Sequence, residues 1–146
     1  MSVHTDIADA MVVMLNAASL VQTFTAARWY IPRYDKEDLA GTLAVRVAPA
    51  SLSGALVDRA GTSDNLYGVD VGMQKLFDAS ERATINTELD PLSTFVDAVV
   101  ALFFGKSIGN TNSVCIEFDN DPIFSPDAFE GGEFRSVVRF TMRKFI

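Results

Sequence analysis

The sequence predicts an α+β fold: a mostly antiparallel or mixed sheet packed against two helices, in the order α-β-β-β-α-β-β. Three observations predict it. Apolar residues recur at helical spacing near residues 6–18 and again over 90–104. Residues 42–48, 66–76, 114–119 and 135–143 alternate between apolar and polar side chains. These alternating runs form meander groups before and after the second helix, which favours a sheet with its helices on one face.

The first helix is expected over residues 6–18, with Ile7, Ala10, Met11, Met14 and Ala18 as its apolar stripe. Thr5 or Asp6 is suited to cap it, and Asp6 and Asp9 suit its positive N-terminal end. A weak extended piece, 24–31, ends at Pro32, and the polar run 32–38 reads as a connection. The next strand is 42–48, with Leu43, Val45 and Val47 on one face and Pro49 as its end.

Residues 50–65 then read as a long irregular segment, rich in Ser, Gly, Asp and Asn. Connections of that length inside a compact domain are usually functional or disordered. The strand 66–76 puts Tyr67, Val69, Val71 and Met73 on one face and Gly68, Asp70, Gly72 and Gln74 on the other. The glycines leave that second face nearly bare, so that something can approach closely.

Residues 81–88 are polar and ambiguous. The second helix is expected over 90–104, with Asp90 as N-cap and Pro91 at the first helical position. Leu92, Phe95, Val96, Val99, Leu102 and Phe103 form its apolar face, and Gly105 ends it. Two strands close the order. Val114, Ile116 and Phe118 alternate with Cys115, Glu117 and Asp119; Val138, Phe140 and Met142 alternate with Arg135, Val137, Arg139, Thr141 and Arg143.

One domain of 146 residues can bury about two-thirds of its unfolded surface, and 49% apolar residues supply a core. Residues 1–20 lack the basic start of a secretory signal, and the apolar run 95–104 is too short to span a bilayer, so a cytoplasmic product is expected. The net charge of −7 argues against a DNA-phosphate-binding surface. The single cysteine, Cys115, excludes an internal disulfide, and with one histidine it gives no basis for a metal site or any other cofactor.

Candidate motifs are weak. Gly105-Lys106-Ser107 lacks the glycine that a phosphate-binding loop needs at position 100, where Val100 stands, and follows a helix instead of preceding one. Asp119-Asn120-Asp121 starts like a calcium loop, but Pro122 and Ile123 break the ligand pattern, and a turn explains it better. His4 falls in the N-terminal tail, where no catalytic triad can be built around it. Cys115 reads as a small structural residue.

Residues 107–134 hold Glu117, Asp119, Asp121, Asp127, Glu130 and Glu133 without an intervening Lys or Arg. A carboxylate pair among them could serve a hydrolase, though a solvated acidic loop accounts for them better. Arg135, Arg139 and Arg143 share one strand face, which suits ion pairing with another subunit or with this acidic loop.

Three stretches together point to a family. They are Ala27-Arg28-Trp29-Tyr30-Ile31-Pro32-Arg33-Tyr34-Asp35, Tyr67-Gly68-Val69-Asp70-Val71-Gly72-Met73-Gln74-Lys75 and Asn120-Asp121-Pro122-Ile123-Phe124-Ser125-Pro126. With the opening helix and closing strand they resemble the tail terminator, or tail completion, proteins at the head–tail joint of long-tailed bacteriophages. Related neck and tail-tube proteins share parts of that fold.

The resemblance implies a non-enzymatic virion protein, made in the host cytoplasm. It would form a six-membered ring on the last tail-tube ring, stop tube growth and dock the head's neck or head completion proteins. DNA would pass through without specific binding. A ring needs a heterologous interface. The expected contacts are Arg59 and Asp64 in the 50–65 arm, and the arginine face of Arg135, Arg139 and Arg143 against Asp127 and Glu130 of the acidic loop.

Overall fold

The computed structural model describes residues 2–20, 22–30, 43–56, 63–77, 82–120, 124–126 and 132–145. The observed order is α1 (Val3–Ala17), β1 (Phe24–Arg28), β2 (Leu43–Leu56), β3 (Ser63–Leu76), α2 (Arg82–Phe103), β4 (Val114–Asp119) and β5 (Glu133–Phe145). The strands form a five-stranded sheet in the order β1-β2-β3-β5-β4. β1 runs parallel to β2, and every other neighbouring pair is antiparallel, so the sheet is mixed. The α+β order expected from the sequence is the order found. The expected connection at 32–38 lies outside the described residues.

Alternation decides which face takes the helices. Val45, Val47, Tyr67, Val69, Val71, Met73, Val138, Phe140 and Met142 are all buried on one face, where they join Ile7, Met11 and Leu15 of α1 and Phe95, Val99 and Phe103 of α2 in one core. Phe103 meets Phe140 edge to face with ring centroids 5.2 Å apart, and Phe24 meets Phe95 at 5.1 Å. Edge-to-face geometry places the positive ring edge on the negative face. On α1 the buried residues are Ile7, Ala8, Met11 and Leu15, while Ala10 and Met14 only flank the core. The stripe is thus rotated slightly from the expected one, and Ala18 is the residue after the helix.

Both helices start earlier than expected. Ser2 is the N-cap of α1, without a side-chain cap bond, so neither Thr5 nor Asp6 caps it. His4 therefore lies in the helix and not in a loose tail. In α2 the ambiguous 82–88 stretch is helical, and Pro91 sits inside the helix. An interior proline costs about 3 kcal/mol through its missing N–H and its ring. Helix continues upstream because Leu89 still packs on the core. Gly105, at φ 76°, ends the helix as expected.

The largest correction concerns residues 50–65. Pro49 does not end β2. The strand passes through a bulge between Pro49 and Ser51 and continues to Leu56, paired with β3 as far as Leu56 opposite Ser63. The expected irregular segment is mostly a β-hairpin arm, and only residues 57–62 lie outside the described residues. Proline is tolerated at a bulge on a strand's open side, which is how Pro49 fits. The bare face of β3 also finds its visitor: a Cβ on Gly68 would collide with the Ser51 side chain from β2.

A second bulge, between Cys115 and Glu117, breaks the expected alternation of β4. Cys115 is fully buried, whereas Val114, Ile116 and Phe118 are each about 40% exposed. The expected apolar core face of this strand is therefore a half-exposed edge.

Most sheet edges carry caps. The Asn16 side-chain amide pairs with both backbone groups of Ala26 on β1, at 3.1 and 2.8 Å. The turn after α2 covers the start of β4 through Gly105 N–H to Cys115 O (2.8 Å) and Cys115 N–H to Lys106 O (3.1 Å). On β5, Asn120 donates to Val137 O and Ser125 N–H to Arg135 O.

Truncating Phe140, which is 0% exposed, to Ala is expected to cost about 3–5 kcal/mol through the lost ring and the cavity left behind. Chemical denaturation of the full chain measures this as a lower midpoint with an unchanged slope.

Candidate functional site

The charged face of the sheet is the side away from the helices. Its registry follows from the pairing of β3 with β5: Gln74 lies opposite Arg135, Asp70 opposite Arg139 and Leu66 opposite Arg143. Arg135, Arg139 and Arg143 share this face, as their spacing predicts. Each meets a carboxylate of its own chain. Arg139 makes a two-pronged pair with Asp70, at 2.7 and 2.9 Å. Arg143 grips Asp64 with contacts of 2.6 to 3.0 Å. Arg135 donates to Glu133 at 2.9 Å, and the other Glu133 oxygen accepts from Gln74 at 2.7 Å.

Within one subunit two of these partners, Asp70 and Asp64, come from β3, while Arg135 takes Glu133, a member of the expected acidic set. A two-pronged guanidinium–carboxylate pair requires fixed planar geometry, and adjacent strands supply it. Asp64 belongs to the arm, as expected, but as an internal anchor. Arg59, Asp127 and Glu130 lie outside the described residues. Sequence reasoning put Asp70 on the correct face but missed it as a partner, because strand register is not written in either strand alone.

Electrostatics follow the geometry. The Arg143 hydrogen bonds hold the Asp64 carboxyl below its ordinary range, and Asp64 raises Arg143 in return. The Asp70 hydrogen bonds raise Arg139, helped by the charge of Asp119. Asp119 is exposed on β4, and a shallow depression of about 210 Å³ lies between Asp70, Asp119, Val137 and Arg139. Burial pushes the Cys115 thiol up, away from the thiolate, and its sulfur donates weakly to Glu117 O at 3.5 Å. Among the described residues, no cluster of three or more His, Cys, Asp or Glu is placed to hold a metal ion.

His4 is a further residue that the sequence misplaced. Its Nε2 lies 2.8 Å from Gly68 O, and since a carbonyl only accepts, the ring nitrogen donates. Its ring stands edge-on to Tyr67, with centroids 5.6 Å apart. This contact falls beside the Pro49 bulge, where β3 faces a residue with no N–H to give. It ties the first turn of α1 to the base of the arm.

The arm itself is exposed. Ser51, Leu52, Ser53 and Gly54 all face solvent, with Leu52 at 62% exposure. No protein-family model matches this chain, and no curated protein matches it.

Two outcomes are expected on this face. In a double-mutant cycle of Asp70→Asn and Arg139→Gln, the coupling energy is about 0.5–1 kcal/mol, the range of a well-formed exposed pair. Asp64 is depressed when folded, so its pairing favours the folded state above the unfolded carboxyl pKa, and that effect is lost as pH falls through the folded value. Carboxyl NMR titration is expected to show Asp64 below ordinary aspartates, and Arg143→Gln is expected to return it upward.

Proposed function

We propose that this chain is a structural protein of a phage virion, forming a ring at the top of the tail that ends tube growth and offers a docking face to the head's neck proteins. Its contacts in that role are the tail-tube protein, a neck or head completion protein and copies of itself, with DNA passing through unbound. The reading rests on the three resembling stretches and on the α+β order that accompanies them.

The observation that carries it furthest is the arm. Past the bulge β2 continues as an edge strand paired with β3, with solvent-facing Ser51, Leu52, Ser53 and Gly54. These four residues add little to the core of their own subunit. They form a surface for shape-based contact, which is the kind of work a ring between tube and neck demands.

The rival reading is a small hydrolase or ligand-binding domain using the acidic loop. It needs carboxylates gathered in an enclosed pocket. Glu117 and Asp119 instead lie exposed on a strand. A larger hollow of about 560 Å³, lined by Gln22, Lys75, Leu76, Phe77, Thr87, Pro91 and Leu92, has no carboxylate among these lining residues. Among the described residues, nothing in this geometry favours the rival.

The test is deletion of the gene in the phage that carries it. Overlong tails of variable length that fail to join heads are the expected result, restored to one length by the wild-type gene in trans. Tails of normal, fixed length that still attach to heads would contradict the role.

A further inference from the structure

We propose that the hollow between the end of β3 and α2 binds the carboxyl end of a partner polypeptide whose last residue is apolar. The inference does not rest on the virion role.

Three features of the hollow specify this occupant. The first is a lysine on an apolar face. Tyr67, Val69, Val71 and Met73 of β3 point into the core, and Lys75 is the next residue in that alternation, level with the buried Phe134 of β5. Lys75 is half-buried and lines the hollow. It forms no ion pair with any described residue, whereas Arg28, Arg135, Arg139 and Arg143 each hold a carboxylate. An ammonium at the margin of an apolar layer gains more from a counter-ion than one in open water, because the attraction is screened less. Gln22, on the link between α1 and β1, lines the same hollow and brings an amide donor.

The second feature is a carbonyl that its own helix cannot satisfy. Each helical N–H bonds to the carbonyl four residues back. Pro91, inside α2, has no N–H, so the Thr87 carbonyl loses its helical donor. Thr87 and Pro91 both line the hollow, which puts this orphaned acceptor at its wall.

The third feature is an apolar floor. Phe77, Leu92 and the Pro91 ring border a space of about 560 Å³, within the range of about 300–1,000 Å³ usual for ligand sites.

A chain end answers all three at once. Its carboxylate meets Lys75 and Gln22, the N–H of its last residue donates to Thr87 O, and its apolar side chain covers the floor. Capture of a terminal carboxylate is an established mode of peptide recognition. A phosphate would need more donors than one ammonium and one amide. A fatty acid carries no N–H for Thr87.

The experiment is a ¹⁵N–¹H NMR titration of the full chain with a short peptide of glycine and serine that ends in leucine with a free carboxyl group. Saturable shifts are expected at Lys75, Phe77 and the amides around Thr87, with a Kd below about 1 mM. The same peptide with a carboxamide end, or ending in glycine, is expected to bind at least about fivefold more weakly. Lys75→Gln is expected to weaken the carboxyl peptide by a similar factor and to leave the carboxamide peptide unchanged.

Pro91→Ala gives the most telling readout. It returns an N–H to the Thr87 carbonyl, so the thermal midpoint is expected to rise while the peptide binds at least about threefold more weakly. A purely structural role for Pro91 moves the midpoint and leaves the affinity alone. Lys75→Gln carries the test by itself if Pro91→Ala melts early. No saturable shift up to about 5 mM peptide, or shifts that map elsewhere, would overturn the proposal. So would octanoate or the carboxamide peptide binding as tightly as the free carboxyl peptide, or a Lys75→Gln protein that binds as wild type does.

Discussion

A mismatch of lengths governs this molecule. β2 and β3 have 14 residues each, a span of about 46 Å at about 3.3 Å per residue. α1 has 15 residues, or about 22 Å, and α2 has 22, or about 33 Å. Helices of these lengths cannot cover strands of that length along their whole run. The core forms where both layers exist, and the far part of β2 runs on as an exposed edge beside β3, which β5 pairs on its other side down to Asp64. The Pro49 bulge lies where this edge begins, and His4 fastens the helical layer beside it through Gly68 O. What the core does not need is left free for contact, and the proposed assembly role draws on that surplus.

The second organising feature is charge satisfied within the sheet. Arg139 with Asp70 and Arg143 with Asp64 join β5 to β3 on the side away from the helices. Exposed pairs of this kind add little stability. Their larger effect is on recognition. A face whose arginines are already held by carboxylates has weak attraction for the phosphates of nucleic acid, which suits the proposed passage of DNA without sticking.

Much of the fold is legible in the sequence, and the failures have physical causes. Both helical stripes, the buried face of β3 and the arginine face of β5 follow from periodicity alone. The arm does not, because Ser, Gly and Asn promote turns in isolation, and only pairing with β3 makes residues 50–56 a strand. Pro91 misled in the opposite direction: it is a good first residue of a helix, and tertiary burial of Leu89 carried the helix past it. Cys115 takes the buried place opposite Met142 that alternation from Phe118 gives to Ile116, because a bulge shifts the period by one residue, and bulges leave little trace in composition. Of the candidate contacts, the three arginines were correctly grouped. Two of their partners within the subunit, Asp64 and Asp70, escape the sequence, since they meet the arginines only through strand register.

The central claim is that the arm is ordered sheet in the single subunit. Amide hydrogen exchange on dilute, monomeric protein tests it most directly. The account predicts slow exchange through residues 64–67 of β3, which are paired on both sides, and alternating slow and fast amides along 51–56 of β2, which is paired on one side only. Uniformly fast exchange through both segments would contradict it.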